Sequence, residues 1–239
     1  DLSRVGVGTS FKTKKNYNIK FIIKKRKWFL ATQGSNLLNT KLKAQTVVGG
    51  VEQSRGNLYL LMSRLLGAVP DDELFGVIQA LEVDDTSIGQ ALNQLKTLSV
   101  NTTVKVAAEE YDELFIGVTQ GELIPFKSYY LTGFLNEKPL AELRDDMEKL
   151  GIAKSDLVAE PDDHIAFLLE MMHGLIVGSF GEPSTVLEQN KFFDNHIACW
   201  APKFFEDLEA TSVANFFVPI GRIGKLFMEV EGEAFLIAA

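Results

Sequence analysis

After Val47 the apolar residues recur every three or four positions, a period that predicts helices along most of the chain. Leu58, Leu61, Met62, Leu65 and Leu66 make one stripe, closed by Gly67 and Pro70. Asp71 or Asp72 can cap a short helix through Leu81. Asp85, Thr86 and Ser87 offer the next cap, ahead of a stripe at Ile88, Leu92, Leu95 and Leu98. A fourth helix is predicted from about Thr103 to Phe115. The period then breaks: residues 117–128 (GVTQGELIPFKS) hold two glycines and a proline and read as a loop, followed by Tyr129, Tyr130 and Leu131.

Pro139 suits the first turn of a helix carrying Leu140, Leu143, Met147 and Leu150, which Gly151 ends. Residues 152–161 read as a polar connector. Asp162 and Asp163 stand where they can cap the next helix, whose stripe is Ile165, Leu168, Leu169, Met172, Leu175 and Ile176, ending near Gly178. Pro183 opens a helix to about His196, Pro202 opens another through Leu208, and a last one spans roughly Ser212 to Met228. No alternating pattern of strand length follows residue 50, and no fixed-period repeat. The expected fold is all-α, with about nine to ten helices. It divides into halves at about 47–151 and 162–239, joined by a short hinge.

Composition narrows the chemistry. The 46% hydrophobic residues supply a sizeable core, and no apolar run reaches a membrane-spanning length. A single cysteine, Cys199, excludes an internal disulfide and a cysteine-based zinc cluster. The three histidines lack zinc-hydrolase spacing, and neither a P-loop nor a dinucleotide fingerprint occurs. No metal and no cofactor is expected. Cys199, between Ala198 and Trp200, is expected to be buried and inert.

Charge changes the picture more. The net −8 conceals a +10 over residues 1–50 and a −18 over residues 51–239. An acidic body repels phosphate backbones and favours a basic ligand, so a basic peptide is the expected partner rather than nucleic acid. Residues 1–46, opening on Asp1, are expected to be a poorly ordered basic extension of upstream or vector origin. Their apolar pieces are too short for a signal-peptide core.

Several stretches then resemble one family. Glu160-Pro161-Asp162-Asp163-His164-Ile165 with Glu170-Met171 resembles the E-x-P-D-H signature of the TorD family, which includes DmsD and is related to NarJ. Tyr111 to Phe115 resembles its Y-x-x-L-F segment, and Pro125 to Tyr130 its P-Y-x-S-x-Y segment, with Phe126 in place of the usual tyrosine. Residues 139–151 resemble its helix ending in L-G. Phe193 to Trp200 with Phe204, Phe205 and Leu208 resembles its H-[IL]-x-x-W segment and the aromatic positions after it. The signature here carries an extra aspartate, and residues 1–50 have no counterpart.

The resemblance implies a cytoplasmic chaperone without catalytic residues. Such a chaperone binds the twin-arginine leader, and the apo body, of a molybdenum oxidoreductase subunit until its cofactor is inserted, before export. The ligand is then a basic S-R-R-x-F-like segment followed by an apolar stretch. Its receptor needs carboxylates and an apolar groove. The implied peptide-binding residues are Glu160, Pro161, Asp162, Asp163 and His164 from the connector, with Tyr111, Phe115, Pro125, Phe126, Ser128 and Tyr129 from the other segments. The loop around 117–130 would face 160–164 across the groove. A monomer with some domain-swapped dimer, exchanged at the hinge, is expected.

Each residue also has a plainer reading. Asp162 and Asp163 serve equally as helix caps, and His164 as a capping hydrogen-bond partner. Tyr129, Tyr130 and Phe115 serve equally as core aromatics. His196 and Trp200 read as packing residues, and the Glu109-Glu110 and Asp145-Asp146 pairs as solvated helix faces. Ser128, Asp163 and His164 make no informative catalytic triad without a G-x-S-x-G elbow. Gly117, Gly121 and Gly133 are not spaced to cradle a phosphate, so no nucleotide is expected. The competing reading is a helical protein–protein adaptor with a different basic peptide partner and no role in export.

Overall fold

A computed structural model describes residues 50–153 and 160–238. The basic extension at 1–46 and the middle of the connector lie outside the described residues. The helices in chain order are α1 (Gly50–Gly67), α2 (Asp72–Gln79), α3 (Ser87–Asn101), α4 (Val104–Tyr111), α5 (Lys127–Thr132), α6 (Lys138–Lys149), α7 (Ile165–Val177), α8 (Val186–Phe193), α9 (Ala201–Glu209) and α10 (Val218–Ala238). Among the described residues the extended pairing is one antiparallel bridge, Phe126 with His164. The all-α expectation holds.

Side-chain caps set several boundaries. Asp71 Oδ1 accepts from Leu74 N at 2.8 Å to start α2, and Thr86 Oγ1 accepts from Gly89 N at 3.0 Å to start α3. Thr103 caps α4 through Val106 N at 3.2 Å. These bonds satisfy amides that the first helical turn leaves without partners.

Three boundaries differ from the sequence pattern. The predicted Thr103–Phe115 helix stops as an α-helix at Tyr111 and widens into a π-helical turn over Asp112–Ile116. There the Glu113 and Leu114 carbonyls accept from the returning loop amides of Glu122 and Leu123, at 3.2 and 2.8 Å. Pro183 does not open α8; Thr185 does, through a reciprocal capping box with Glu188. The last helix runs from Val218 to Ala238 instead of Ser212 to Met228. Phe216 and Phe217 imitate a helical stripe but are fully buried from an irregular segment, with Phe216 N bonded to Glu110 Oε2 at 2.8 Å.

α7 forms the centre. Every residue of it except Phe167 and Val177 is buried, as befits a helix apolar on all sides. α1 lies along α7 and approaches closely at Gly56, where a Cβ would press on Val177 and Ile176 at 3.1 and 3.3 Å. α9 packs on α10, where Gly224 makes room for the Phe205 ring. α10 also packs on α3, and α8 on α7. One hydrophobic cluster therefore runs from Tyr59 to Phe235 and takes helices from both sequence halves.

A buried ion pair ties three of these helices. Arg55 of α1 donates from Nε to both Glu231 oxygens of α10, at 2.7 and 2.9 Å, and from Nη1 to Gln189 Oε1 of α8 at 2.7 Å. Tyr59 Oη donates to Glu231 Oε2 at 2.7 Å. Burial, and then the Glu231 charge, hold the Tyr59 phenol well above its usual range. Among the described residues no helix is long and apolar enough to cross a membrane.

Candidate peptide-binding site

Two segments far apart in sequence meet where α5 and α7 begin. Lys127 N donates to Asp163 O at 3.0 Å and Ile165 N to Pro125 O at 2.9 Å, on either side of the Phe126–His164 bridge. The Phe126 ring meets the His164 ring edge-on at 4.9 Å. Asp163 Oδ2 accepts from Ser128 N at 2.7 Å. The loop and the connector are thus hydrogen-bonded directly to each other, with no groove between them.

This clip corrects the capping expectation. His164, not Asp162 or Asp163, caps α7: its Nδ1 accepts from Ala166 N at 3.1 Å. Asp163 caps α5 instead, a helix whose own lead-in residue, Phe126, has no side chain able to accept. Asp162 pairs with Arg144 of α6, Oδ2 to Nε at 2.7 Å. Asp162, Asp163, His164, Pro125 and Ser128 are buried, while Glu160, Pro161, Phe126 and Tyr129 are partly exposed.

Tyr111 and Phe115 lie elsewhere. Tyr111 is buried, donates to Leu66 O at 3.3 Å, and packs its ring against Phe115 and Phe217 at 5.0 and 6.0 Å. The sequence-predicted residues therefore fall into two groups, the clip and this aromatic cluster.

Beneath the clip runs a chain of polar groups that sequence reasoning missed. Lys127 is buried, and its Nζ meets His196 Nδ1 at 3.0 Å; His196 Nε2 meets Asp146 Oδ2 at 3.0 Å. An ammonium only donates, so Nδ1 must accept and the imidazole proton sits on Nε2, facing Asp146. A second ring proton would point at Lys127. Burial first, and then the Lys127 charge, lower the His196 pKa to about 4. Burial also lowers the Lys127 pKa, against the pull of Cys199, Glu142, Asp163 and Asp146.

Two plainer readings change with it. Asp146 is not a merely solvated face. Trp200 fixes packing as expected, donating from Nε1 to His196 O at 2.9 Å. Cys199 is exposed rather than buried, with Sγ donating to Asn195 O at 3.4 Å. Partial desolvation raises its thiol pKa, and Lys127 opposes that shift.

Beside the clip, α5 and α9 border an open groove with a volume of about 480 Å³, lined by Glu122, Leu123, Ile124, Tyr129, Tyr130, Gly133, Lys203 and Asp207. Tyr130 lines it, its ring tilted against Trp200 at 5.2 Å and edge-on to Phe204 at 5.9 Å, and donates from Oη to Asp207 Oδ2 at 3.1 Å. Burial, and then the Asp207 charge, raise the Tyr130 phenol pKa well above its usual range. A groove with carboxylates at its mouth and aromatic walls suits a cationic peptide chain. Among the described residues no cluster of His, Cys, Asp and Glu suits a metal ion.

Comparison with known proteins places this geometry. The family model for the nitrate reductase delta subunit matches residues 81–206. The chaperone protein TorD of Vibrio parahaemolyticus serotype O3:K6 is 26% identical over 164 residues, which is 65% of this chain and 75% of that protein. The chaperone protein TorD of Photobacterium profundum is 26% identical over 208 residues, 77% of this chain and 95% of that protein. A crystal structure assigned as a redox enzyme maturation protein from Archaeoglobus fulgidus shares the fold, with a TM-score of 0.52 and 22% identity, over 73% of this chain and 93% of that one. The family match covers more than half of the chain, from α3 through the clip to α9, and on that ground the chain belongs to the nitrate reductase delta subunit family, with the TorD chaperones among its relatives.

Proposed function

We propose that this chain is a chaperone of molybdoenzyme maturation. It binds the twin-arginine leader, and with it the apo body, of a catalytic subunit in the cytoplasm and releases it once the cofactor is inserted, before export. The observation that carries this reading is the clip: the two family segments 125–128 and 160–165 join there, beside a groove of acidic and aromatic character. Glu160, Pro161, Phe126 and Tyr129 are the partly exposed residues offered to the peptide. Asp162, Asp163, His164, Pro125 and Ser128 hold them in position from beneath, and Tyr111 with Phe115 supports the adjoining turn. The chaperone acts by binding alone and has no reaction of its own. Its relatives being named chaperones supports this.

The test is calorimetric titration of the full chain with a panel of twin-arginine leader peptides, each beside its Lys-Lys counterpart. Micromolar or tighter binding of one leader, weakened by the Lys-Lys change, is expected. A folded sample that binds no leader and no apo subunit would remove this function.

A further inference from the structure

The groove between α5 and α9 is already occupied by a cation, and that cation belongs to the chain itself. Lys203 Nζ lies 2.9 Å from Asp207 Oδ1 and 3.0 Å from Glu206 Oε2. The Lys203 side chain is 62% exposed, so these contacts are worth little in water and are readily exchanged. Asp207 is different. It is only 32% exposed, and Tyr130 Oη fixes its other oxygen at 3.1 Å. The carboxylate is thus oriented before any ligand arrives, with one oxygen turned to the exchangeable ammonium.

We propose that Asp207 is the carboxylate that selects an arginine of the leader, and that Lys203 is an internal competitor which the arginine displaces. The proposal rests on the leader-binding reading above and assigns the guanidinium subsite within it. A guanidinium can present two N–H donors in one plane to a carboxylate and lie flat on an aromatic face, whereas a lysine ammonium is a compact point charge without that planar geometry. The half-buried Tyr130, which lines the groove and bonds Asp207, is the aromatic group beside that carboxylate. Leu123 and Ile124 line the groove floor for the aliphatic stem. Gly133 of the groove lining is followed in the chain by Phe134 and Leu135, which are 68% and 43% exposed and offer apolar surface to the stretch after the arginines. The occupant is a basic peptide, because residues 51–239 carry a net −18.

The test is calorimetric titration of the full chain with one leader peptide and its Lys-Lys form. Four proteins are compared: wild type, Asp207→Asn, Lys203→Met and Lys225→Met. Asparagine keeps the acceptor for Tyr130, so the groove retains its shape. Lys225→Met removes the same charge from α10, where Lys225 pairs with Glu209.

Asp207→Asn is expected to weaken the Arg-Arg leader about tenfold or more and to erase its advantage over Lys-Lys. Lys203→Met is expected to tighten the Arg-Arg leader several-fold, with no change for Lys225→Met. If wild type prefers Arg-Arg and Asp207→Asn keeps that preference, the subsite is overturned while the chaperone reading stands. Equal tightening by Lys203→Met and Lys225→Met would reduce the competitor to general charge and overturn its role. If wild type binds no leader but still binds an apo subunit, the subsite is overturned while the chaperone reading stands; if it binds neither, both fall.

Discussion

The carboxylate of Asp163 caps a helix far earlier in the chain, accepting from Ser128 N, thirty-five residues before it, at 2.7 Å. This side chain joins the starts of α5 and α7, which the Phe126–His164 bridge also pairs. Asp163→Ala removes the acceptor from a buried amide and should cost about 1–3 kcal/mol. Asp163→Asn keeps an acceptor and should cost less. Urea unfolding gives the stabilities, and hydrogen exchange at Ser128 should speed up in the alanine variant before the α7 amides do. Equal protection in both proteins would show that the cap is idle.

His196 makes stability depend on pH in a defined window. Its folded pKa of about 4 lies below the ordinary 6.5. Between those values the unfolded chain takes up a proton that the folded chain refuses. Stability is therefore full above about pH 6.5, falls as the pH drops, and levels off below about pH 4, with roughly 3 kcal/mol lost in all. His196→Gln removes this titration. Unfolding curves at pH 7.5 and 4.5 should show a shallower loss in the variant, and parallel losses would discount the Lys127–His196 contact.

The Arg55–Glu231 pair predicts an asymmetry. Glu231 is 2% exposed, so Glu231→Gln leaves the largely buried Arg55 with only the half-exposed Glu52, 2.9 Å from Nη1, as a counter-charge and should cost about 3 kcal/mol. Replacing both residues with methionine removes the charge along with its partner and should cost less than the single change. Thermal and urea denaturation of the single and double variants decide it, and a double variant as weak as the sum of its parts would contradict the pairing.

Gly224 tests the α9–α10 contact. A Cβ there would enter the ring of Phe205, which is fully buried and cannot swing aside. Gly224→Ala should destabilise by about 1–3 kcal/mol despite the better helix propensity of alanine. An unchanged melting temperature would mean that α10 slides easily over α9.

Local features were legible in the sequence where neighbours along the chain decided them. Asp71, Thr86 and Thr103 cap helices that start within three residues of them. The α7 stripe was readable because its residues are apolar, although the burial of nearly the whole helix shows only in the packing. The clip was half legible. Acids and a histidine before an apolar run indicate a cap, but nothing in that run tells that Asp163 serves the amide of Ser128 and leaves α7 to His164. Lys203 and Asp207 stand at helical i,i+4 spacing, so their pairing could have been read from sequence. Their junction with Tyr130 could not, because it depends on how α5 meets α9. The contact of Lys127 with His196 was invisible for the same reason: a lysine in a predicted loop gives no sign that it is buried.

The partnership of α1 with α7 has a consequence for how the protein is made. Gly56 O meets His173 Nδ1 at 2.8 Å across 117 residues, and α3 waits likewise for α10. A chain emerging from the ribosome would present the stripe of α1 long before its cover is synthesised. The early helices would stay exposed, guarded only by their own weak propensities. Folding of the core would be deferred until α10 has been synthesised, since its key contacts join distant positions.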